Sequence, residues 1–240
     1  MAKGTETIGA RAAKKPARAA AASPKKTAKA SGGRSLTEQA YDLLKHQILT
    51  CALCPGEYLN ERRLCESLNI GRTPVHQAIG QLQQERLIDV IPRKGIIVRP
   101  VSVDEYLNLN EARLMFEVEA VRLAASRITP DEIDELNSIL ERSKIVRKQR
   151  DIEQILLLDR DFHLILAKST RNTIMADILK SLYERSLRVW FGSLSSMHIE
   201  ANREEHQRLV DALRAGDGDT AAEMMREHIL SSRAYTMRSL

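Results

Sequence analysis

The sequence has few of the residues that mark secreted, membrane-bound or sheet-rich proteins. Only 4% of its 240 residues are aromatic, and its three cysteines are an odd number for so long a chain. This scarcity argues against a disulfide framework and favours a reducing compartment, so we expect a cytoplasmic protein. No apolar run reaches the ~20 residues that a membrane-spanning helix needs, which predicts that the protein has no membrane partner.

Acidic residues are nearly absent from residues 1–33, which hold eight lysines and arginines against one glutamate. The net charge of +5 for the chain, less +7 for this segment, leaves −2 for the remainder. The high pI therefore does not by itself indicate nucleic-acid binding. Large apolar residues are also scarce there, so we predict a disordered basic tail. Its role stays open between a solubilising tail, non-specific attraction to DNA phosphates and, with less support, a transit peptide.

Residues 34–102 have the pattern of a winged helix-turn-helix domain. Helical periodicity runs through "SLTEQAYDLLKHQILT", "NERRLCESLNI" and "GRTPVHQAIGQLQQERLI", with tight turns between them. We expect Thr73 to cap the third helix and Pro74 to occupy its first position. The β-branched runs on either side of Pro92–Gly95 predict a hairpin, which would be the wing.

The third helix of a winged helix enters the major groove, where its N-terminal residues meet base edges and phosphates. Arg72 at this end can contact guanine through two hydrogen bonds, the commonest specific pairing. The candidate DNA contacts are Arg62, Arg72, Thr73, His76, Arg93 and Lys94. Each of them could instead be an ordinary solvated side chain. Their combination around a tight turn and a wing favours DNA binding.

Residues 103–240 show helical periodicity throughout, which predicts an all-α bundle. We expect helices near 103–127, 129–148, 151–169, 172–191, 197–215 and 219–237. Asp159 and His163 lie four residues apart on one face of an apolar helix, and His206 and His228 lie on apolar faces of two later helices. If these four side chains converge, burial would be costly unless something satisfied them. A divalent metal would do so, but spacing alone leaves a polar core cluster equally open.

Arg113 lies on the first helix of this bundle, where its neighbours Leu109, Phe116 and Ala120 place it partly inward. A buried guanidinium needs a carboxylate partner. Glu117, four residues further on, is one candidate partner. An acidic effector is the other.

The stretch "PGEYLNERRLCESLNIGRTPVHQAIGQLQQERLIDVIPRKGIIV" resembles the winged helix-turn-helix of the GntR family of bacterial transcription regulators. The helical remainder resembles the FadR-type ligand-sensing domain, known as the FCD domain. The resemblance implies DNA-contacting positions at Arg62, Arg72, His76, Lys94 and Gly95. The family usually has Arg-Glu where this chain has His76 and Gln77, which puts the base preference at that point in question.

The resemblance also implies a metal held by an Asp-x3-His pair and two later histidines, which Asp159, His163, His206 and His228 match. The ligand types leave the metal open among Zn, Ni, Mn and Fe. The acyl-CoA-sensing branch of the family lacks these ligands, which argues against a fatty acyl thioester. The resemblance instead implies a small carboxylate effector, with Arg113 as a binding residue.

These observations predict a mainly α protein, with an N-terminal winged helix-turn-helix and a C-terminal all-α bundle. We expect a transcriptional repressor, not an enzyme. As a homodimer it would bind a palindromic operator in double-stranded DNA and respond to a small carboxylate at the metal. Two alternatives stay open. One is a metal-dependent hydrolase fused to a DNA-binding module, although Asp161 and Glu205, beside the ligands, are expected to point to other helical faces. The other is a regulator whose metal is purely structural.

Overall fold

The chain folds into helices and one small sheet, as seen in a computed structural model that describes residues 34–193 and 198–239. The predicted basic tail, residues 1–33, lies outside the described residues. The helices are α1 (Leu36–Leu49), α2 (Glu61–Leu68), α3 (Arg72–Gln84), α4 (Val103–Ala125), α5 (Pro130–Gln149), α6 (Ile152–Ser169), α7 (Thr173–Ser193), α8 (His198–Arg214) and α9 (Gly218–Ser239). The strands are β1 (Tyr58–Leu59), β2 (Ile88–Ile91) and β3 (Gly95–Val98). The predicted fold class is confirmed.

Local capping signals begin several helices where the sequence predicts them. At α5, the Thr129 side chain accepts from the backbone N–H of Glu132, whose carboxylate accepts from the Thr129 N–H in return. The predicted cap of α3 is wrong, because Gly71 is its N-cap and the helix already begins at Arg72. The left-handed Asn69, φ 53°, ends α2, and Gly71 already has the extended conformation of an N-cap, although it has no side chain to accept a capping hydrogen bond.

The DNA-binding region is held together by apolar residues from α1, α2, α3 and the sheet. Leu44, Ile48, Val75 and Leu82 lie at its centre and are almost fully buried. The three antiparallel strands have the order β1-β3-β2, so β3 is central. The two-residue strand β1 is too short to show strand periodicity, and sequence analysis missed it.

Helices α4 to α9 form the second region, with α4 packed on α9, α5 on α6 and α8, and α6 on α7. Its core gathers aliphatic side chains around Phe162, which is completely buried. Across the described ranges, none of the helices combines the length and the apolar character needed to cross a bilayer.

A partly buried ion cluster joins the two regions. The Nζ of Lys45 on α1 lies 2.7 Å from a carboxylate oxygen of Glu85, at the end of α3, and 2.7 Å from one of Glu184 on α7. It also donates to the Tyr41 hydroxyl at 2.7 Å. Burial lowers the pKa of Lys45, but the hydrogen bonds to Glu184 and Glu85 outweigh it and raise the pKa. Lys45 therefore stays charged and ties α1 to α7.

Helix α7 contacts both regions because its residues alternate between two faces. Tyr183, Leu187 and Trp190, spaced four and three residues apart, pack together in the core of the C-terminal region. Glu184 and Arg188, also one turn apart, contact the DNA-binding region. Glu184 pairs with Lys45 of α1, and Arg188 donates to the backbone carbonyl of Arg99, just after β3.

Candidate metal centre and nucleic-acid interface

Three histidines converge in the core of the C-terminal region, one each from α6, α8 and α9. The Nε2 of His163 lies 3.2 Å from that of His206, which lies 3.4 Å from the Nε2 of His228. Each side chain is at most 4% exposed. One ligand nitrogen from each histidine lies within 4.8 Å of the other two, which is close enough for a single ion to contact all three.

Asp159 lies beside this histidine cluster, one helical turn before His163. Its Oδ1 is 3.7 Å from the Nε2 of His206, and its side chain is mostly buried. The structure thus brings together the four side chains that the sequence predicted as metal ligands. This convergence requires that α6, α8 and α9 come together at the level of His163.

Two glutamates hold the outer nitrogens of the cluster. The Nδ1 of His163 lies 3.1 Å from Glu117 Oε2, and the Nδ1 of His228 lies 2.8 Å from Glu205 Oε2. An ionised carboxylate only accepts, so each Nδ1 carries the proton and each Nε2 presents a lone pair. The expectation that Glu205 points elsewhere is wrong. The packing of α8 against α9 carries His228 across to it, a contact that spacing along α8 alone does not show.

The surroundings of His163 and His206 favour the neutral imidazole, which is the form that binds metals. Burial lowers the pKa of His206 well below its ordinary value, and repulsion from His228 and His163 lowers it further. Burial also lowers the pKa of His163, although Glu117 opposes this. The Nε2 atoms of His163 and His228 both lie within 3.4 Å of the Nε2 of His206, with the Asp159 carboxylate beside them, and nitrogen and carboxylate ligands of this kind suit a divalent cation. The residues present therefore fit a metal.

Arg113 is fully buried next to this site and has a carboxylate partner within the chain. Its Nε lies 2.5 Å from Glu117 Oε1, and its Nη2 donates to the Tyr183 hydroxyl at 3.2 Å. Its guanidinium also lies over the rings of Tyr183 and Trp190, 4.9 and 5.0 Å from their centroids. Of the two partners predicted for Arg113, the structure shows Glu117. That glutamate links Arg113 to His163.

A cavity of about 30 Å³ opens on one side of the cluster. Asp159, His206 and His228 line it, together with Arg147 and Trp190. Its remaining lining residues are Ile139, Leu140, Ser143, Ile155, Leu156, Leu158, Phe162 and Ser232. Arg113 does not line it. Space for a small ligand therefore lies directly beside the candidate metal ligands.

At the opposite end of the chain, the first turn of α3 presents exposed polar side chains. Arg72, Thr73 and His76 are all exposed. Glu61 from α2 lies between two of them, 2.9 Å from the Nε of Arg72 and 3.2 Å from the Nδ1 of His76. Burial tends to raise the pKa of Glu61, but the hydrogen bonds to Arg72 and His76 outweigh it and lower the pKa. Glu61 thus holds both side chains at the end of the helix.

The wing completes a basic groove with α2 and α3. Arg93 and Gly95 adopt positive φ angles of 65° and 108°, which turn the chain at the tip and expose Lys94 between them. Arg62 is exposed on α2 and pairs with Glu66 one turn on, at 3.0 Å. The predicted contacts that line this one groove are Arg62, Arg72, Arg93, Lys94 and Gly95. The positive charge of the four basic side chains among them suits a phosphate backbone.

Comparisons with known proteins match both regions of the chain. The family model described as "Bacterial regulatory proteins, gntR family" matches residues 36–98, and that of the FCD domain matches residues 108–231. The HTH-type transcriptional regulator McbR of Escherichia coli K12 is 29% identical over 202 residues, covering 81% of this chain and 91% of that protein. The HTH-type transcriptional repressor RspR of the same organism is 27% identical over 195 residues, covering 81% and 86%. The solved structure of E. coli McbR/YncC aligns with a TM-score of 0.79 at 27% identity, covering 86% of this chain and 99% of that one.

Proposed function

Since the chain belongs to the GntR family of bacterial regulatory proteins and carries an FCD domain, we propose that a metal centre controls its binding to DNA. Members of this family are DNA-binding transcriptional regulators rather than enzymes, which agrees with the expectation from sequence. The proposal concerns what modulates that activity. It has three parts: a metal in the C-terminal region, a small carboxylate effector, and a dimeric repressor.

Asp159, His163, His206 and His228 would hold the metal. The observation that carries this is the convergence of three imidazole nitrogens, two of which are oriented by a carboxylate behind the ring. A bound Zn, Ni, Mn or Fe ion would supply open positions for oxygen atoms of a ligand.

The chain's own residues would keep the site in one state. Glu117 fixes the tautomer of His163, and Glu205 fixes that of His228. Arg113 neutralises Glu117 inside the core, so the carboxylate can stay ionised there.

The DNA-binding region, residues 34–102, would read the operator through α3 and the wing. A homodimer formed by residues 103–240 would present two such regions to a palindromic site in double-stranded DNA. The relative RspR is named a repressor, which supports repression as the mode of action here. A cytoplasmic location is the one in which such a regulator meets bacterial DNA.

A small carboxylate bound at the metal would control the affinity for the operator. The cavity beside the cluster provides the space, and the metal would provide the charge. The effector changes DNA binding only if it binds the DNA-competent and DNA-free arrangements of the dimer with unequal affinity. A structural metal is the competing explanation, because the same buried cluster could serve folding alone.

The first test is the metal content of the purified full-length protein, measured by elemental mass spectrometry. We expect near one equivalent per chain in the wild type, its loss in His206→Ala, and its retention in His46→Ala, which removes an exposed histidine. Equal content in wild type and His206→Ala would contradict the metal centre.

Operator affinity then separates a sensory metal from a structural one. It is measured by fluorescence anisotropy with short carboxylates added to the metal-loaded protein. A sensory metal predicts that at least one carboxylate weakens operator binding. If carboxylates leave the affinity unchanged while a chelator unfolds the protein, the metal is structural.

A further inference from the structure

The basic segment, residues 1–33, has no part in the function proposed above. It carries eight lysines and arginines against one glutamate, a net charge of +7, while the remainder of the chain carries −2. The excess positive charge of the protein therefore lies in this segment. A segment dominated by one sign of charge often binds an oppositely charged partner.

The segment is attached to the DNA-binding region beside α3, the proposed reading helix. Residue 34 leads directly into α1, whose N-cap is Ser35. In the first turn of α1, the Thr37 hydroxyl donates to the side-chain oxygen of Gln77 on α3 at 2.7 Å. Gln77 follows His76, one of the exposed side chains near the start of α3. DNA held by α3 would therefore lie close to the point where the segment joins this region.

Covalent geometry places three lysines of the segment within reach of that DNA. A fully extended chain spans at most about 3.6 Å per residue, so Lys29 and Lys25 reach up to about 18 and 32 Å from Arg34. The major groove that would hold α3 is about 12 Å wide. Lys25, Lys26 and Lys29 can therefore reach phosphates at the edges of this groove and beyond it.

Double-stranded DNA is the partner that this charge fits best. It carries one negative charge per about 1.7 Å of its axis, whereas the remainder of the chain offers a net charge of only −2. A segment that served solubility alone would gain more from acidic than from basic residues. The segment also has almost no large apolar residues that could enter a membrane surface, and the match to bacterial regulatory proteins argues against a transit peptide.

We propose that residues 1–33 bind the phosphates that flank the site read by α3 and the wing. Each lysine or arginine that meets a phosphate releases counterions from the DNA, which favours binding whatever the base sequence. The segment would thus strengthen binding to any duplex, while the choice of sequence stays with α3 and the wing. This inference needs only the DNA binding of the family and does not depend on the metal centre or its effector.

The test variant is the full-length protein with three neutralised lysines, Lys25→Gln, Lys26→Gln and Lys29→Gln. Its affinity for a long duplex of arbitrary sequence is measured by fluorescence anisotropy over a range of salt concentrations. The slope of log affinity against log salt should become shallower by about two to three, close to one for each lost phosphate contact. Affinity should fall by about tenfold or more at low salt, and the difference from wild type should disappear at high salt.

The matched control removes the same net charge from exposed positions of the C-terminal region, Arg142→Gln, Lys148→Gln and Lys168→Gln. It should keep the wild-type slope if the position of the charge matters. A second variant keeps the charge in place, with Lys25→Arg, Lys26→Arg and Lys29→Arg. It should also keep the wild-type slope, because phosphate contacts of this kind depend on charge rather than on the side chain.

A shallower slope in the glutamine variant of the segment alone supports the proposal. An unchanged slope in that variant overturns it, and so does an equal change in the matched control, which would reflect net charge only. Higher affinity in the glutamine variant would mean that the segment opposes DNA binding, which also overturns the proposal. Because the duplex has an arbitrary sequence and no carboxylate is added, none of these results bears on the metal centre.

Discussion

Ionic groups at the two ends of the molecule work under opposite conditions. The side chains of Arg62 and Arg72 in the DNA groove are 88% and 86% exposed, and each has an acidic neighbour within 3.0 Å. Arg113 in the C-terminal region is 0% exposed, and its partner Glu117 is 4% exposed. Exposed pairs contribute little to stability because water screens and solvates both charges. Buried pairs must remain complete, since neither charge has another means of solvation.

This difference in exposure predicts different effects of mutation at the two ends. In the groove, an arginine can exchange its glutamate for a phosphate without disturbing the fold. In the buried cluster, each group supports the next, from Arg113 through Glu117 to His163. Loss of one group there should affect both folding and metal binding.

The largest effect is expected from Glu117→Ala. It leaves the Arg113 guanidinium buried without its carboxylate and should lower the free energy of unfolding by about 3–5 kcal/mol. The matched control is Glu119→Ala, an exposed glutamate on the same helix, which should change it by less than about 0.5 kcal/mol. Urea denaturation followed by circular dichroism measures both. Similar values for the two variants would remove the contrast between buried and exposed pairs.

Next in size is Glu205→Gln, which keeps the shape of the side chain but loses the charge behind His228. Loss of such an outer partner should weaken metal affinity about 10–100-fold. Competition with a chromogenic chelator measures it, with Glu204→Gln, an exposed neighbour, as the control. Unchanged affinity in Glu205→Gln would mean that Glu205 does not orient His228 for metal binding.

In the groove, Arg72→Ala should cost about 1–3 kcal/mol of operator binding and relax specificity at one base position. The free energy of unfolding should change by less than about 0.5 kcal/mol, because the lost pair with Glu61 is exposed on the arginine side. Arg63→Ala, an exposed arginine that does not line the groove, serves as control. Operator titrations with single-base variants check this. Equal operator affinity in Arg72→Ala and wild type would exclude α3 as the reading helix.

The smallest effect is expected from Arg62→Ala. If this arginine contacts a phosphate, its loss should weaken binding uniformly across sequences and reduce the slope of log affinity against log salt by about one. The slope is measured by anisotropy between low and moderate salt, with Arg63→Ala as control. A loss confined to one operator position would instead assign Arg62 to a base.

Sequence reasoning predicted the features that depend on local periodicity and capping. The helices of both regions and the hairpin of the wing follow from such signals, and the capping box at Thr129 fixes one boundary to the residue. Strand β1 was missed because two residues show no period. The start of α3 was misplaced because Gly71 is the N-cap there, and a glycine lacks the capping side chain that Thr73 offered as a signal.

The candidate site could be predicted only as a list of ligands. Inward faces on α6, α8 and α9 indicate that His163, His206 and His228 are buried, but their convergence depends on how three helices pack. The contact between Glu205 and His228 also arises from this packing. For Arg113, the sequence offered two partners, and the fold places Glu117 against it.

Because α7 makes different contacts on two faces, inserting or deleting a residue within it would disturb both. Tyr183 lies against His163 and Trp190 lines the cavity, while Glu184 and Arg188 face the DNA-binding region. One inserted residue would rotate everything after it by about 100°, since an α-helix has 3.6 residues per turn. The core-facing side chains would then point where Glu184 and Arg188 now point, and those two would turn away from the DNA-binding region. Over evolutionary time, α7 should accept substitutions far more readily than any gain or loss of a single residue.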